Sequence, residues 1–309
     1  MDERVIAIVG PTASGKTALS VQLAELLNGE IINGDSMQVY EQLDIGTAKI
    51  KEEETNGIPH HLFDYKKPDE SFSVSDYQTS VRQTIDELFA RKKQPIVVGG
   101  TGMYIQAVLY DYRFTEEGHD PLVRERLERE AEENGREALY ERLLKMDPDS
   151  ARSIHPNNVR RVVRALEIIE VTGKTKKEHE ASQGHEVVYP HLLIGLTMDR
   201  ERLYRRIDRR VEQMIEEGLE EEVRALYDAG LKDAQSMSAI GYKEWVAYFE
   251  GRETLEDVVR NIQRNTRRYA KRQMTYFNNK LPIEWIDATL PVEKQVEEAL
   301  RIIKNSRQL

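Results

Sequence analysis

The chain of 309 residues has no cysteine at all, which excludes disulfides and cysteine-ligated zinc. It also lacks any apolar run near the roughly 20 residues a membrane helix needs. The first apolar stretch, Val5-Ile6-Ala7-Ile8-Val9, begins so early that no signal peptide fits ahead of it. The expectation is therefore a cytosolic protein with no membrane segment. Positive charge is in short supply overall: the net charge is −10, which by itself argues against a nucleic-acid partner. One local absence reverses that argument. Residues Arg260 to Lys280 contain seven Lys or Arg and no Asp or Glu.

The most specific feature present is Gly10-Pro11-Thr12-Ala13-Ser14-Gly15-Lys16-Thr17, which fits the phosphate-binding pattern G-x-x-x-x-G-K-[ST] at every fixed position. The strand-like run Val5–Val9 precedes it and helical periodicity follows from Thr17 to Leu27, which is the context the motif requires. Backbone N–H groups of such a loop and of the helix start converge on an anion, and Lys16 adds a point charge. Thr17 offers a hydroxyl to Mg²⁺, the one cofactor expected.

Two more strands are read at Glu30–Gly34 and Pro95–Gly100, with a helix from Phe72 to Arg91 between them. Alternating strands and helices imply an α/β, doubly wound parallel sheet, whose ligands sit beyond the carboxyl ends of the strands. Asp35 follows the second strand and is placed to accept a proton or hold a metal through water. It is equally suited to capping the next turn. The third strand ends in Gly99-Gly100-Thr101-Gly102, without the metal-binding acid of most P-loop NTPases. The three glycines are read as letting bare backbone approach the ligand, with a simple tight turn as the alternative. His60-His61 has no third ligand at metal spacing, so a positioning or structural role is expected.

From Thr115 to Gln183 the chain reads as all-helical and highly charged. A P-loop core at 1–114 and 184–309 is thus expected around a helical insertion at 115–183. Val187–Leu196 reads as a returning strand, Arg200–Ala229 and Leu255–Phe277 as long helices, and Pro282–Ile286 as a last strand. On the second long helix Arg260, Arg264, Arg267 or Arg268, and Lys271 fall on one face, with Tyr269, Tyr276 and Phe277 interleaved. That combination is an electrostatic footprint for nucleic acid.

In order along the chain, these segments resemble the bacterial tRNA dimethylallyltransferases, also called tRNA isopentenylpyrophosphate transferases. The likeness rests on residues 10–17, Asp35-Ser36-Met37-Gln38-Val39-Tyr40, Gly46-Thr47-Ala48-Lys49, Pro59-His60-His61, Gly99 to Tyr104, Arg160 to Glu167, Ala239 to Glu244 and Tyr269-Ala270-Lys271-Arg272-Gln273. The resemblance implies a P-loop core with an inserted helical domain. It implies transfer of a dimethylallyl group from dimethylallyl diphosphate to N6 of adenosine 37, in tRNAs reading codons that begin with U. The partners would be a tRNA anticodon stem-loop and dimethylallyl diphosphate, and the enzyme a monomer.

Carried over residue by residue, Asp35, Thr101, Lys16 and Arg206 would be catalytic. Gly10, Pro11, Thr12, Ala13, Ser14, Gly15, Lys16 and Thr17 would bind diphosphate, with Thr17 holding the metal. Asp35, Ser36, Met37, Gln38, Thr101, Arg124, Arg160, Arg161, Arg164, Arg264, Arg268 and Lys271 would bind tRNA. Two other readings remain at this point. A small-molecule P-loop kinase explains the loop and Asp35 but neither the glycine-rich strand end nor the acid-free basic helix. A tRNA-binding module with a vestigial loop leaves Lys16, Thr17 and Asp35 without purpose.

Overall fold

The computed structural model describes residues 3–112, 120–181 and 186–306. They form two compact units, 1–109 with 187–309, and 110–186. The limits expected at 114/115 and 183/184 lie outside the described residues.

The first unit is built on a six-stranded parallel sheet in the order β3-β2-β4-β1-β5-β6. The strands are β1 (Val5–Val9), β2 (Gly29–Asn33), β3 (His60–His61), β4 (Gln94–Gly99), β5 (His191–Thr197) and β6 (Glu284–Asp287). β1 and β2 are buried at every position, as expected of parallel strands covered on both faces. Helices α1 (Lys16–Leu27), α2 (Val74–Ala90) and α3 (Gly102–Leu109) follow β1, β3 and β4. The chain leaves β1 toward β4, β2 and β3 on one side, and returns to β5 and β6 on the other. The carboxyl end of β1 is therefore a topological switch point, where such sheets bind ligands.

The second unit is a packet of helices: α4 (Pro121–Asn134), α5 (Arg136–Met146), α6 (Pro148–Ser153), α7 (Val159–Thr172) and α8 (Lys176–Ala181). Asp120, Asp147 and Asn158 cap α4, α6 and α7 through side-chain oxygens, satisfying N–H groups left open at a helix start. Leu127, Leu139, Leu143, Val162 and Leu166 form its core. Each such side chain contributes about 1.5–3 kcal/mol when fully buried.

The remaining helices complete the first unit: α9 (Arg200–Glu216), α10 (Leu219–Asp228), α11 (Val246–Phe249), α12 (Leu255–Lys280) and α13 (Val292–Asn305). The single long helix expected over Arg200–Ala229 is in fact two. Gly218 sits at φ +100° between them, a left-handed conformation that ends a helix. α13 was not expected from the sequence. Its Val296, Ala299 and Ile303 join Leu19 and Leu23 of α1 in the sheet's core, at the i, i+3, i+7 spacing of a helix stripe.

Candidate active site

The loop after β1 holds its backbone open. Ala13 and Gly15 both have positive φ, and α1 starts with neither an acidic residue nor a side-chain cap in its first turn. Its N–H groups are left for an anion. Lys16 Nζ donates to the carbonyls of Gly10 (3.1 Å) and Pro11 (2.9 Å), so the ammonium is held over the loop. Burial lowers its pKa to about 8, against Asp35, which raises it; Arg210 lowers it further. Ser14 Oγ is buried without a hydrogen-bond partner among the described residues. The exposed Thr17 hydroxyl has none among them either.

These observations bear on Mg²⁺. No group of three or more acids or histidines suited to a metal occurs among the described residues. Mg²⁺ keeps several waters and is commonly bound through substrate phosphates. A hydroxyl at Thr17 beside a phosphate-binding loop fits that mode of binding.

Asp35 answers both sequence readings at once. One carboxylate oxygen accepts from the Met37 N–H (2.9 Å), the turn-capping role. The other makes no hydrogen bond among the described residues and is free to act. The backbone beneath is fixed by Asn33, fully buried, whose side chain accepts from Asp35 N–H (2.8 Å) and donates to the carbonyls of Asp35 (3.0 Å) and Leu62 (3.1 Å). The Ser36 N–H donates to Thr101 Oγ1 (3.2 Å). Tyr269 stands beside Thr101, and burial pushes its phenol up to about 12.

The segment after Asp35 is tied from a distance. The Glu222 carboxylate accepts from the N–H groups of Asp44 (3.0 Å), Ile45 (2.7 Å) and Gly46 (3.0 Å) and from the Tyr242 hydroxyl (2.6 Å). A side chain at position 46 would begin 2.4 Å from the Tyr242 ring. This explains why Gly46 and the Ala239–Glu244 segment belong together. Gln38 Nε2 donates to the carbonyls of Thr47 (3.0 Å) and Ala48 (3.3 Å), so its amide nitrogen serves this loop.

The glycines after β4 also make room for the protein itself. A methyl group at Gly99 would lie 2.0 Å from the Gly34 carbonyl, one at Gly100 would lie 2.2 Å from Gln273 Nε2, and one at Gly102 would lie 2.3 Å from the Tyr276 ring. Bare backbone here lets Gly34, just past β2, and α12 close on the loop, and Gly99 and Gly100 also line a cavity.

Two cavities meet here. One of about 630 Å³ is lined by Thr12, Ala13 and Gly15–Ala18 of the loop, by Asp35 and Gln38, and by Arg206, Arg210 and Gln213 of α9. Val21, Ile31, Ile50, Phe63 and Val98 supply an apolar sector. The other, of about 280 Å³, is lined by Ser36, Met37, Ile207, Met214, Ile240, Tyr269 and Arg272 among others. Thr12, Ala13, Asp35, Thr47 and Arg210 belong to both walls. Thr101 is in neither wall and touches the site through its bond to Ser36. Arg210, one turn beyond Arg206, was missed as a site residue. Burial lowers its pKa, opposed by Asp35, Glu217 and Glu54. The i, i+4 spacing from Arg206 was the available signal.

His60 and His61 are both held by the protein itself, and His60 also lines the larger cavity. His60 Nδ1 bonds the Ile58 carbonyl (2.7 Å), and His61 Nε2 meets Glu30 (2.7 Å), which Arg91 also grips with two bonds of 3.0 Å. Burial raises the Glu30 pKa, but the hydrogen bonds from His61 and Arg91 outweigh it and hold the carboxyl below its usual range.

Along α12 the basic residues divide. Arg260 pairs with Asp257 (2.5 Å), Arg267 with Asp208, and Arg264 donates to Asn261 (2.7 Å). Arg268 and Lys271 have no acidic partner among the described residues and border a shallow groove with Arg272 and Lys280. In the helical unit Arg124 (2.7 Å) and Arg164 (2.9 Å) both pair with Glu167, which is fully buried. Arg160 and Arg161 are exposed and pair with no acid among the described residues.

The chain matches the model of the family described as IPP transferase over residues 38–280. A Bacillus licheniformis protein named tRNA dimethylallyltransferase is 55% identical over 307 residues, 99% of this chain and 98% of its own length. The Bacillus subtilis protein of that name is 54% identical over 294 residues, 95% and 94% of the two chains. Among solved structures, the full-length tRNA isopentenylpyrophosphate transferase of Bacillus halodurans superposes with TM-score 0.75 at 48% identity, over 98% of this chain and 96% of that one. A eukaryotic dimethylallyltransferase solved acting on tRNA gives TM-score 0.78 at 34% identity, over 93% and 74%.

Proposed function

The chain belongs to the IPP transferase family, whose members here are tRNA dimethylallyltransferases, and on that premise we propose how its two cavities divide the reaction. The enzyme transfers a dimethylallyl group to tRNA. In our reading the donor is dimethylallyl diphosphate, seated in the larger cavity with its diphosphate on the loop. The acceptor is adenosine 37 of the anticodon stem-loop, in tRNAs reading codons that begin with U. Its base leaves the stack, as bases acted on by enzymes do, and enters the smaller cavity. The work is placed in the cytoplasm, where the tRNA is. No helix among the described residues is long and apolar enough to cross a membrane.

The observation that carries this reading is Asp35, which stands in the wall common to both cavities with one oxygen free. An exocyclic adenine amine is a weak nucleophile, because its lone pair is delocalised into the ring. An allylic diphosphate compensates, because the breaking C–O bond leaves a delocalised cation. N6 bonds to the terminal allylic carbon as the C–O bond breaks, and diphosphate departs with the electron pair. The N6 proton passes to the free oxygen of Asp35.

Loop N–H groups, Lys16, Arg206 and Arg210 stabilise the charge that grows on the leaving group. When bound, Mg²⁺ would neutralise part of that charge, held by the Thr17 hydroxyl together with diphosphate oxygens and water. Tyr269 and the apolar wall of the smaller cavity offer the base a surface to lie against.

The test is single-turnover transfer from labelled dimethylallyl diphosphate to unmodified tRNA. Asp35→Ala should slow it by roughly 10²–10⁴-fold, the range for a lost general base, while tRNA binding is retained. A guanosine at position 37 should abolish labelling. A near-normal rate in Asp35→Ala would remove Asp35 from the chemistry.

A further inference from the structure

We propose that Gln273 is a positioning residue that couples RNA binding on α12 to diphosphate binding in the loop after β1. Gln273 is 5% exposed. Its Oε1 accepts from the Thr12 N–H (3.0 Å) and its Nε2 donates to the Gly100 carbonyl (2.9 Å). One side chain from α12 thus bridges the loops that end β1 and β4. The two bonds fix the amide's orientation, because a backbone N–H only donates and a carbonyl only accepts. Glutamate would lose the donor, methionine both bonds, and asparagine the reach.

The loop is shaped around this bridge. A methyl group on residue 100 would lie 2.2 Å from the amide nitrogen. The neighbouring turns of α12 grip the same loop. Tyr269 lies close to Thr101, and Tyr276 packs on Gly102 and bonds Gln106. At 3.6 residues per turn, 269, 273 and 276 share one side of α12, while 264, 268 and 271 share the other. The side facing the loops and the side carrying unpaired positive charge therefore belong to one rigid helix. Thr12, the residue Gln273 holds, is itself in the wall of both cavities. A polyanion that settles α12 therefore settles the loop, and by linkage diphosphate in the loop must tighten the polyanion equally.

This rests on the reading above that RNA meets α12 and diphosphate meets the loop. Titration of the full chain with inorganic pyrophosphate, with and without a saturating unmodified anticodon stem-loop transcript, tests it. In the parent protein the RNA should tighten pyrophosphate by at least about fivefold, the lower end of usual coupling. Pyrophosphate should tighten the RNA by the same factor.

In Gln273→Met both ligands should still bind singly, with the factor reduced to about one. Gly100→Ala attacks the same bridge from the other loop. It should give the same loss, with no further loss in the double variant, and it serves if Gln273→Met does not fold. A simply structural glutamine would lower the melting temperature and leave the factor intact. An undiminished factor in either folded variant, or no coupling in the parent, overturns the proposal. Unchanged pyrophosphate affinity in Lys16→Ala, or unchanged RNA affinity in Arg268→Gln/Lys271→Gln, would instead overturn the ligand assignment beneath it.

Discussion

Two glycine-rich loops stand side by side at the ends of neighbouring strands, Gly10–Thr17 after β1 and Gly99–Gly102 after β4. In sequence they look alike. In the first, Gly15 has nothing packed against it, and the Lys16 side chain folds over the loop while Gln273 takes the Thr12 N–H. In the second, the space that glycine leaves is taken up by Gly34, Gln273 and Tyr276 of the protein itself. Glycine makes room in both: at Gly15 the room stays open, and at Gly99, Gly100 and Gly102 the fold fills it. Composition does not tell the two apart, because the occupant of the second loop lies some distance along the chain.

The contrast is open to experiment. If the first loop serves the ligand, Lys16→Ala should cut turnover by roughly 10²–10³-fold, the loss expected of one charge-stabilising donor. Its melting temperature should hardly move, as scanning calorimetry beside the assay would show. If the second loop serves packing, Gly102→Ala should do the reverse. It should destabilise by about 1–3 kcal/mol in urea unfolding, the range for overpacking, and retain most activity once folded. Equal effects on stability and turnover in both variants would dissolve the distinction.

A smaller effect sharpens the same point through pH. Burial lowers Lys16 to about 8 in the ligand-free protein, below the usual lysine value. The charged form that attracts diphosphate is therefore present below that pH and lost as pH rises through it. Between pH 7 and 8.5 pyrophosphate affinity should fall about fourfold relative to Lys16→Arg, whose charge does not titrate in that range. Parallel pH profiles for the two proteins would refute the burial argument.

Much of the site could be read before the structure. The first loop announces itself because strand, turn and helix are contiguous. Asp35 was placed because a strand end beside that loop has few possible uses. Arg210, Glu222, Tyr242 and Gln273 were not assigned roles, since each acts on backbone or space supplied by a remote segment. Local pattern carries no record of such pairs. The break at Gly218 is a different failure. Amphipathic spacing runs on through both α9 and α10, so the hydrophobic pattern outvoted a single residue whose backbone had turned left-handed. The two-residue strand β3 was too short to register as a pattern at all. In the helical unit, four arginines looked equivalent until buried Glu167 was seen to hold Arg124 and Arg164.

Glu222 brings a consequence of its own. Three successive N–H groups in a bend form a cup suited to an anion, and here the protein fills that cup with its own carboxylate. Fixing a residue's backbone costs about 1–2 kcal/mol in lost freedom. For Asp44, Ile45 and Gly46 that loss falls during folding, long before a substrate arrives. A ligand that enters the cavity lined by Gly46 and Thr47 then has no disorder to quench along this stretch.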